Sequence, residues 1–350
     1  MDRWRRRRSL GRLRRPTDRA GREARAAMTL LLSRSEIESL IDRTAVIGAV
    51  EDAHRGLAAG RATNGKASAV TVGDAVFLPM LAVDERLRTA TVKFLADLVG
   101  AGGKVQRTTL LVCSTVTGEC EALLDGRLIT AVRTAAASAV ATKYLARASS
   151  RTLGLVGAGR LAIEHLRALA HVLPVEDVVV WSRSASTVDA FTEQAKALGF
   201  AVRALSSPEA VTRQADVLCT LTPSREPLVH GAWFAPGLHV NVVGAPPRTD
   251  HREVDNEAMA RAYVVVDSAD ESLAKSGDTA LAIRDGAIKA EEALRELGDV
   301  IAGRTLGRTS PDQITLFNSI GLALQDTATA RLLIDRARAE GVGREIDLSA

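Results

Sequence analysis

The sequence predicts an α/β fold: a doubly wound parallel sheet joined to a split α+β domain. Three observations lead there. A short apolar run at 153–156 with strand character ends in Gly157-Ala158-Gly159 and feeds a helical run at 161–170. A second run, Val178-Val179-Val180-Trp181, follows at the spacing of a strand–helix–strand unit. Two more, at 217–221 and 239–243, are again separated by helical stretches. Strands alternating with helices build a parallel sheet with helices on its faces.

The first turn carries the chemistry. A strand, a glycine turn and a helix N-terminus form a cradle in which a pyrophosphate meets free backbone amides. Gly157 permits the tight turn, Gly159 lets the backbone approach the phosphates, and Ala162 is small enough to stand for the third glycine. Any glycine-rich strand-to-helix turn could mimic this motif alone, so the next strand end decides. There, 25 residues after Gly157, stand Ser182-Arg183-Ser184. An acid at this point would hold a ribose 2′-hydroxyl. Hydroxyls and an arginine would instead receive a 2′-phosphate by charge-assisted bonds. The expectation is a Rossmann-type domain preferring NADP(H), with NAD(H) possible. Its candidate cofactor residues are Gly157, Ala158, Gly159, Arg160, Leu161, Ser182, Arg183 and Ser184. Thr220 and Thr222, at the end of the third strand, are expected near the nicotinamide ribose, and Val243, at the end of the fourth, is a further candidate cofactor residue.

Composition sets outer limits. With 350 residues the chain can bury a large core, in two domains. Residues 1–27 hold eleven arginines and three acids, net +8, so the other 323 residues carry −4 of the overall +4. The basic run is expected to be a disordered extension or the product of a misassigned start codon. A nucleic-acid arm is the alternative, but the run has no packed apolar face. Cys113, Cys120 and Cys219 are too few and too badly spaced for a disulfide framework or a zinc site. No apolar run reaches membrane-spanning length. A cytoplasmic protein with no nucleic-acid, membrane or metal partner is expected.

In chain order, residues 33–60 read as two helices, with Ser35 as cap of the first and Val46, Ile47, Val50 and His54 along the second. His54 reads as a packing residue. A hairpin at 69–78 turns at Gly73-Asp74. The strand 89–95 places Lys93 among apolar neighbours, either as an edge-strand guard or as an active-site ammonium. The run 107–113 returns through 122–124. The alanine-rich stretch 130–140 is a strong helix with Thr130 as cap. That start puts Arg133 in the first turn, where the dipole disfavours a cation and a bound anion would relieve it. A tolerated surface arginine is the plainer alternative. Short helices at 253–260 and 271–276 flank a strand at 263–267. A helix at 321–341 returns to pack on residues 28–130. The expected domains are 28–132 plus 321–350 for substrate and dimerisation, and 133–320 for the nucleotide.

Several ordered pieces then converge: Leu124-Asp125-Gly126, residues 129–136, Gly157-Ala158-Gly159, Thr222-Pro223-Ser224 and residues 241–244. They continue with Val266-Asp267-Ser268, Ser276-Gly277-Asp278, Leu297-Gly298-Asp299 and residues 319–323. Over about 32–333 the chain resembles the ornithine cyclodeaminase/mu-crystallin family. That resemblance implies a homodimer, an NAD(P)-binding domain, and a small imino, keto or amino acid as substrate. It casts Arg133 as the substrate-carboxylate arginine, Lys93 as the active-site lysine, and Lys66 in place of a second carboxylate-binding arginine. Cyclodeaminases of the family place an aspartate after the Gly-Ala that follows the fourth strand. Here Pro246-Pro247-Arg248 follow Gly244-Ala245, and proline neither accepts a proton nor orients water. The expectation is therefore an imine reductase or amino-acid dehydrogenase. Cyclodeamination with recycled NAD, and a non-catalytic nucleotide-binding protein, are the alternatives.

Overall fold

A computed structural model describes residues 28–100 and 103–348. The arginine-rich run 1–27 lies outside the described residues.

Two sheets organise the chain. The first collects β1 (Met28–Leu32), β2 (Ala62–Asn64), β3 (Val70–Val72), β4 (Ala75–Asp84), β5 (Thr89–Gly100), β6 (Gly103–Ser114), β7 (Cys120–Asp125) and, from the far end of the chain, β15 (Arg344–Asp347). Its order is β15-β1-β7-β6-β5-β4-β2, with β3 beside β4, and only β1 and β7 run parallel. The helices α1 (Arg34–Leu40), α2 (Arg43–Ala58) and α11 (Ala323–Glu340) belong to the same half. Leu30, Leu32, Ile37, Leu110, Leu124, Leu333 and Ile334 make one packed core there. The other face of this sheet stays open: Leu81 and Leu111 both stand opposite Val92, and Phe94 lies two residues on. Leu81 and Phe94 are 47 % exposed.

The second sheet has strands β8 (Thr152–Val156), β9 (Asp177–Trp181), β10 (Val202–Ala204), β11 (Val217–Thr220), β12 (His239–Val242), β13 (Tyr263–Val266) and β14 (Thr315–Asn318). Their order is β10-β9-β8-β11-β12-β14-β13, and every pair is parallel. The chain winds outward from β8 to β10, then returns to β11, so a crevice opens at the carboxyl ends between β8 and β11. Its helices are α4 (Arg160–Leu169), α5 (Ala185–Ala197), α6 (Pro208–Gln214), α7 (Asn256–Arg261), α8 (Ala269–Lys275), α9 (Gly277–Arg284) and α10 (Leu297–Ile301). The fold is thus Rossmann-type, joined to a second α+β sheet. The helix α3 (Arg127–Leu145) packs on α2, α11 and β6 of one half and on α4, β12 and β14 of the other. Its alanines let all these neighbours approach closely, and most of it is buried.

Four local expectations need correction. The first helix is capped by Ser33, not Ser35; Glu36 reaches back to the Ser33 amide at 2.7 Å and closes a capping box. The alanine-rich helix starts at Arg127 after Gly126, because Asp125 accepts the Arg127 amide at 3.1 Å. Thr130 lies inside it, its hydroxyl donating to the Gly126 carbonyl. Arg133 therefore sits in the second turn, where the dipole conflict has faded. The helix expected from Glu253 begins only at Asn256, capped by Asp255. Lys93 guards no edge, because β5 lies between β4 and β6.

Candidate active site and nucleotide cleft

On the inner face of β5, Lys93 stands between Met80 and Leu110 of the neighbouring strands and is fully buried. A buried ammonium needs an anion. Asp326, on the first turn of α11, supplies it at 3.0 and 3.1 Å. The same carboxylate accepts the Arg133 Nε–H at 3.3 Å, while Arg133 Nη1 donates to Gln325 Oε1 at 2.7 Å. Lys93 and Arg133, expected to act together, therefore meet around one carboxylate. Desolvation, then the neighbouring Arg133, depresses Lys93 to about 8, although Asp326 pulls the other way. Arg133 has five N–H groups. Two are committed to Asp326 and Gln325, so three remain for a ligand's carboxylate.

Residues far along the chain aim this guanidinium. Gln325 Nε2 donates to His54 Nε2 at 3.1 Å, which requires the neutral ring. Burial holds His54 down at about 4, so it stays neutral. The packing role expected of His54 holds, with a hydrogen bond added. Gly321 adopts φ +82, and a Cβ there would fall 2.4 Å from Arg133 Nη1. Asp267, at the end of β13, fixes that glycine by accepting its amide and the Ser319 hydroxyl, both at 2.7 Å. Burial pushes Asp267 up to about 6 against these bonds. Asp326, Gln325, Gly321 and Asp267 were missed as site residues. Asp267 and Gly321 were visible as motif pieces, but Asp326 lies 233 residues from Lys93, and no local pattern connects them.

Lys66 does not join the cluster. It is exposed on the loop after β2 and makes no ion pair among the described residues. The loop itself is tethered nearby, since Asn64 Oδ1 accepts the Leu324 amide at 3.3 Å.

The nucleotide cleft opens at the carboxyl ends of β8, β9 and β11 and encloses about 370 Å³. Gly157, Ala158, Gly159, Ser182, Arg183, Ser184 and Thr222 line it, together with Thr187 and Ser224. Gly157 takes φ +106, open only to glycine. A Cβ on Gly159 would meet nothing within 4 Å, so the cradle above the α4 N-terminus is open. No side chain caps that terminus. Free amides, a backbone cradle and hydroxyl and guanidinium groups at the second strand end fit a dinucleotide. Arg160, Leu161, Thr220 and Val243 lie outside this lining. Thr220 is 1 % exposed, and its hydroxyl donates to Glu253 at 2.8 Å.

After β12 the chain turns through Pro246 and Pro247, and Arg248 reaches Asp97 of β5 at 3.3 Å, tying the two halves. Asp250, the carboxylate nearest in sequence to Pro246, is engaged elsewhere. It pairs with Arg225 at 3.1 Å and with His251 at 2.9 Å. The His251 hydrogen bond, chiefly, holds it below the usual carboxylate range.

The chain matches the ornithine cyclodeaminase/mu-crystallin family over residues 27–341. The alanine dehydrogenase of Archaeoglobus fulgidus is 32 % identical over 327 residues, covering 91 % of this chain and 98 % of that protein. The solved Δ1-pyrroline-2-carboxylate reductase of Thermococcus litoralis, in complex with NADH and L-proline, superposes with a TM-score of 0.87. It is 35 % identical and covers 91 % of this chain and 100 % of its own. An archaeal alanine dehydrogenase dimer with bound NAD gives 0.87 at 31 % identity, covering 92 % and 99 %. The family match over 27–341 and the near-complete coverage of these relatives agree: the chain belongs to the ornithine cyclodeaminase/mu-crystallin family.

Proposed function

We propose that this chain is an NAD(P)H-dependent oxidoreductase that reduces an imino acid or interconverts a keto acid and an amino acid. The observation that carries the reading is the convergence of Lys93 and Arg133 on one buried carboxylate. The free N–H groups of Arg133 would hold the substrate carboxylate in a fixed orientation. Lys66, on its tethered loop, would add a second cation. Lys93 would hydrogen-bond the reacting nitrogen or oxygen and supply its proton. Bound nicotinamide supplies hydride, while the protein supplies position and field.

The redox assignment over cyclodeamination rests on Pro246 and on the engagement of Asp250 by Arg225 and His251. The finer preference for NADP(H) rests on Ser182, Arg183 and Ser184 in the cleft, with no acid among its lining residues. Solved relatives hold NADH or NAD, and NAD(H) use fits the same cradle. A homodimer is part of the proposal: one relative is a dimer, and the open face with Leu81, Phe94 and Leu111 offers an apolar surface for a second copy. Among the described residues no helix is long and apolar enough to cross a membrane. A cytoplasmic setting fits the three free cysteines.

The test is a panel of cyclic ketimine acids, and of keto acids with and without amines, assayed with NADPH and NADH. Consumption of reduced nicotinamide with one of these acids is expected. Conversion of ornithine to proline and ammonia without net nicotinamide turnover would overturn the reading.

A further inference from the structure

Among the buried carboxylates that this mechanism does not use, Glu253 stands closest to the cleft's wall. It is fully buried beneath the carboxyl ends of β11 and β12 and accepts five hydrogen bonds. Its Oε1 takes the Thr222 amide at 2.6 Å and the Thr222 hydroxyl at 2.8 Å. Its Oε2 takes the Thr220 hydroxyl at 2.8 Å and the amides of Gly244 and Ala245 at 2.7 and 3.3 Å. Every donor belongs to the last residue of β11, to the turn after it or to the turn after β12. Those turns touch: a Cβ on Gly244 would fall 2.0 Å from the Thr222 nitrogen. The first turn also abuts the cradle, because a Cβ on Gly157 would sit 2.9 Å from the Leu221 carbonyl oxygen. Leu221, Thr222, Pro223 and Ser224 line the nucleotide cleft.

We infer that Glu253 is a positioning residue for the cofactor, its carboxylate clamping the turns after β11 and β12 into one rigid wall of the cleft. The inference rests on the dinucleotide reading above. Glu253 itself does not line the cleft; it acts through Thr222 and its neighbours.

The clamp depends on charge. A carboxylate offers both oxygens as acceptors, whereas the acid spends part of one on its own proton, and five donors then compete for fewer lone pairs. Burial, then repulsion from Asp278, pushes Glu253 up to about 7. Asp278 Oδ1 accepts the Glu253 and Val254 amides at 2.8 and 3.0 Å, and burial raises Asp278 to about 6. The other ionisable groups nearby are Cys219 on β11, which feels the Glu253 charge, Arg252, which acts on Asp278 and donates to the Val254 carbonyl, and the adjacent His251–Asp250 pair. The raised Glu253 is charged above about 7 and takes its proton below, so the clamp loosens on acidification.

The experiment is NADH binding by fluorescence titration at pH 6 and pH 8, on wild type and Glu253→Gln. NADH is chosen because it has no 2′-phosphate to titrate. Wild type should bind roughly 10-fold more weakly at pH 6 than at pH 8. Glu253→Gln should bind at pH 8 as weakly as wild type does at pH 6, with little further change between the two. Its KM for NADH should rise more than its KM for the carboxylate substrate. If Glu253→Gln does not fold, Thr220→Val decides; it removes one donor that does not line the cleft, and it should raise the NADH Kd at pH 8. Unchanged NADH affinity in the folded Glu253→Gln, or in Thr220→Val when the first variant does not fold, would overturn the positioning role. So would a pH response of Glu253→Gln equal to that of wild type. Failure of wild type to bind NADH or NADPH at either pH would instead remove the dinucleotide reading beneath it.

Discussion

The Lys93 ammonium lies 3.0 Å from the Asp326 carboxylate, with both side chains fully buried. The pair joins the middle of β5 to the first turn of α11, and Arg133 shares its anion at 3.3 Å. Removing one partner of a buried pair strands a charge, which costs about 3–5 kcal/mol. Here Asp326→Ala strands two cations. Denaturant unfolding should show a loss of at least that scale, larger than for Lys93→Ala, where Arg133 still neutralises Asp326. Equal stability of Asp326→Ala and wild type would mean that the pairing is absent in solution.

The depressed Lys93 gives a pH signature. It is charged below about 8 and neutral above, so a lysine that donates a proton loses activity as pH rises through 8. Reductive kcat should fall across that window, and kcat of the oxidative direction should rise. For stability the sign differs. The folded value lies below the ordinary 10.5, so the contribution of Lys93 is fully present above about 10.5 and is lost as pH falls towards 8. A flat reductive profile between pH 7 and 9 would exclude Lys93 as the titrating donor.

Lys93 and Arg133 should separate kinetically. Lys93→Ala should lower kcat by roughly 10²–10⁴-fold if the ammonium is the proton donor. Lys93→Arg should not restore it, since guanidinium is a poor acid near neutral pH. Arg133→Ala should mainly raise KM, because a carboxylate anchor serves ground and transition states alike. A fully active Lys93→Ala enzyme would remove the lysine from the mechanism.

Gly321 offers a test that leaves every charged group in place. A methyl group there would fall 2.4 Å from Arg133 Nη1 at a backbone φ of +82. Gly321→Ala should tilt the guanidinium and raise KM for the carboxylate substrate, with a melting temperature lowered by the strain of about 1–2 kcal/mol. The KM for the nicotinamide should stay near that of wild type, and a selective rise in it would contradict this geometry.

Cofactor choice tests the cleft at its other end. Arg183→Ala should weaken NADPH binding by about 1–3 kcal/mol, the scale of a lost charge-assisted bond, and leave NADH nearly unchanged. Equal losses for both cofactors, or preference of wild type for NADH, would exclude a 2′-phosphate role.

Much of this protein was written locally. The glycine turn at 157–159, the alternation of apolar runs and helices, and the hairpins around Lys93 all depend on neighbours within a few residues. Periodicity and turn chemistry therefore exposed the parallel sheet and the cleft, whereas the roles expected of Lys93 and Arg133 came from the family resemblance: the strand pattern left Lys93 open, and the Thr130 start that singled out Arg133 does not hold. What tertiary structure decided is which distant groups meet. Whether Lys93 sat on an edge or in an interior depended on the strands placed beside β5, and sheet order is not encoded in strand composition. The start of α3 was set by Asp125 accepting the Arg127 amide rather than by the better-looking Thr130. Asp326 reaches Lys93 only because α11 returns across the first sheet, and Glu253 gathers donors at the ends of two strands that the parallel winding sets side by side. A buried charge is stabilised by whatever partner the fold brings within about 3 Å, and that distance is fixed by packing between segments far apart in the chain.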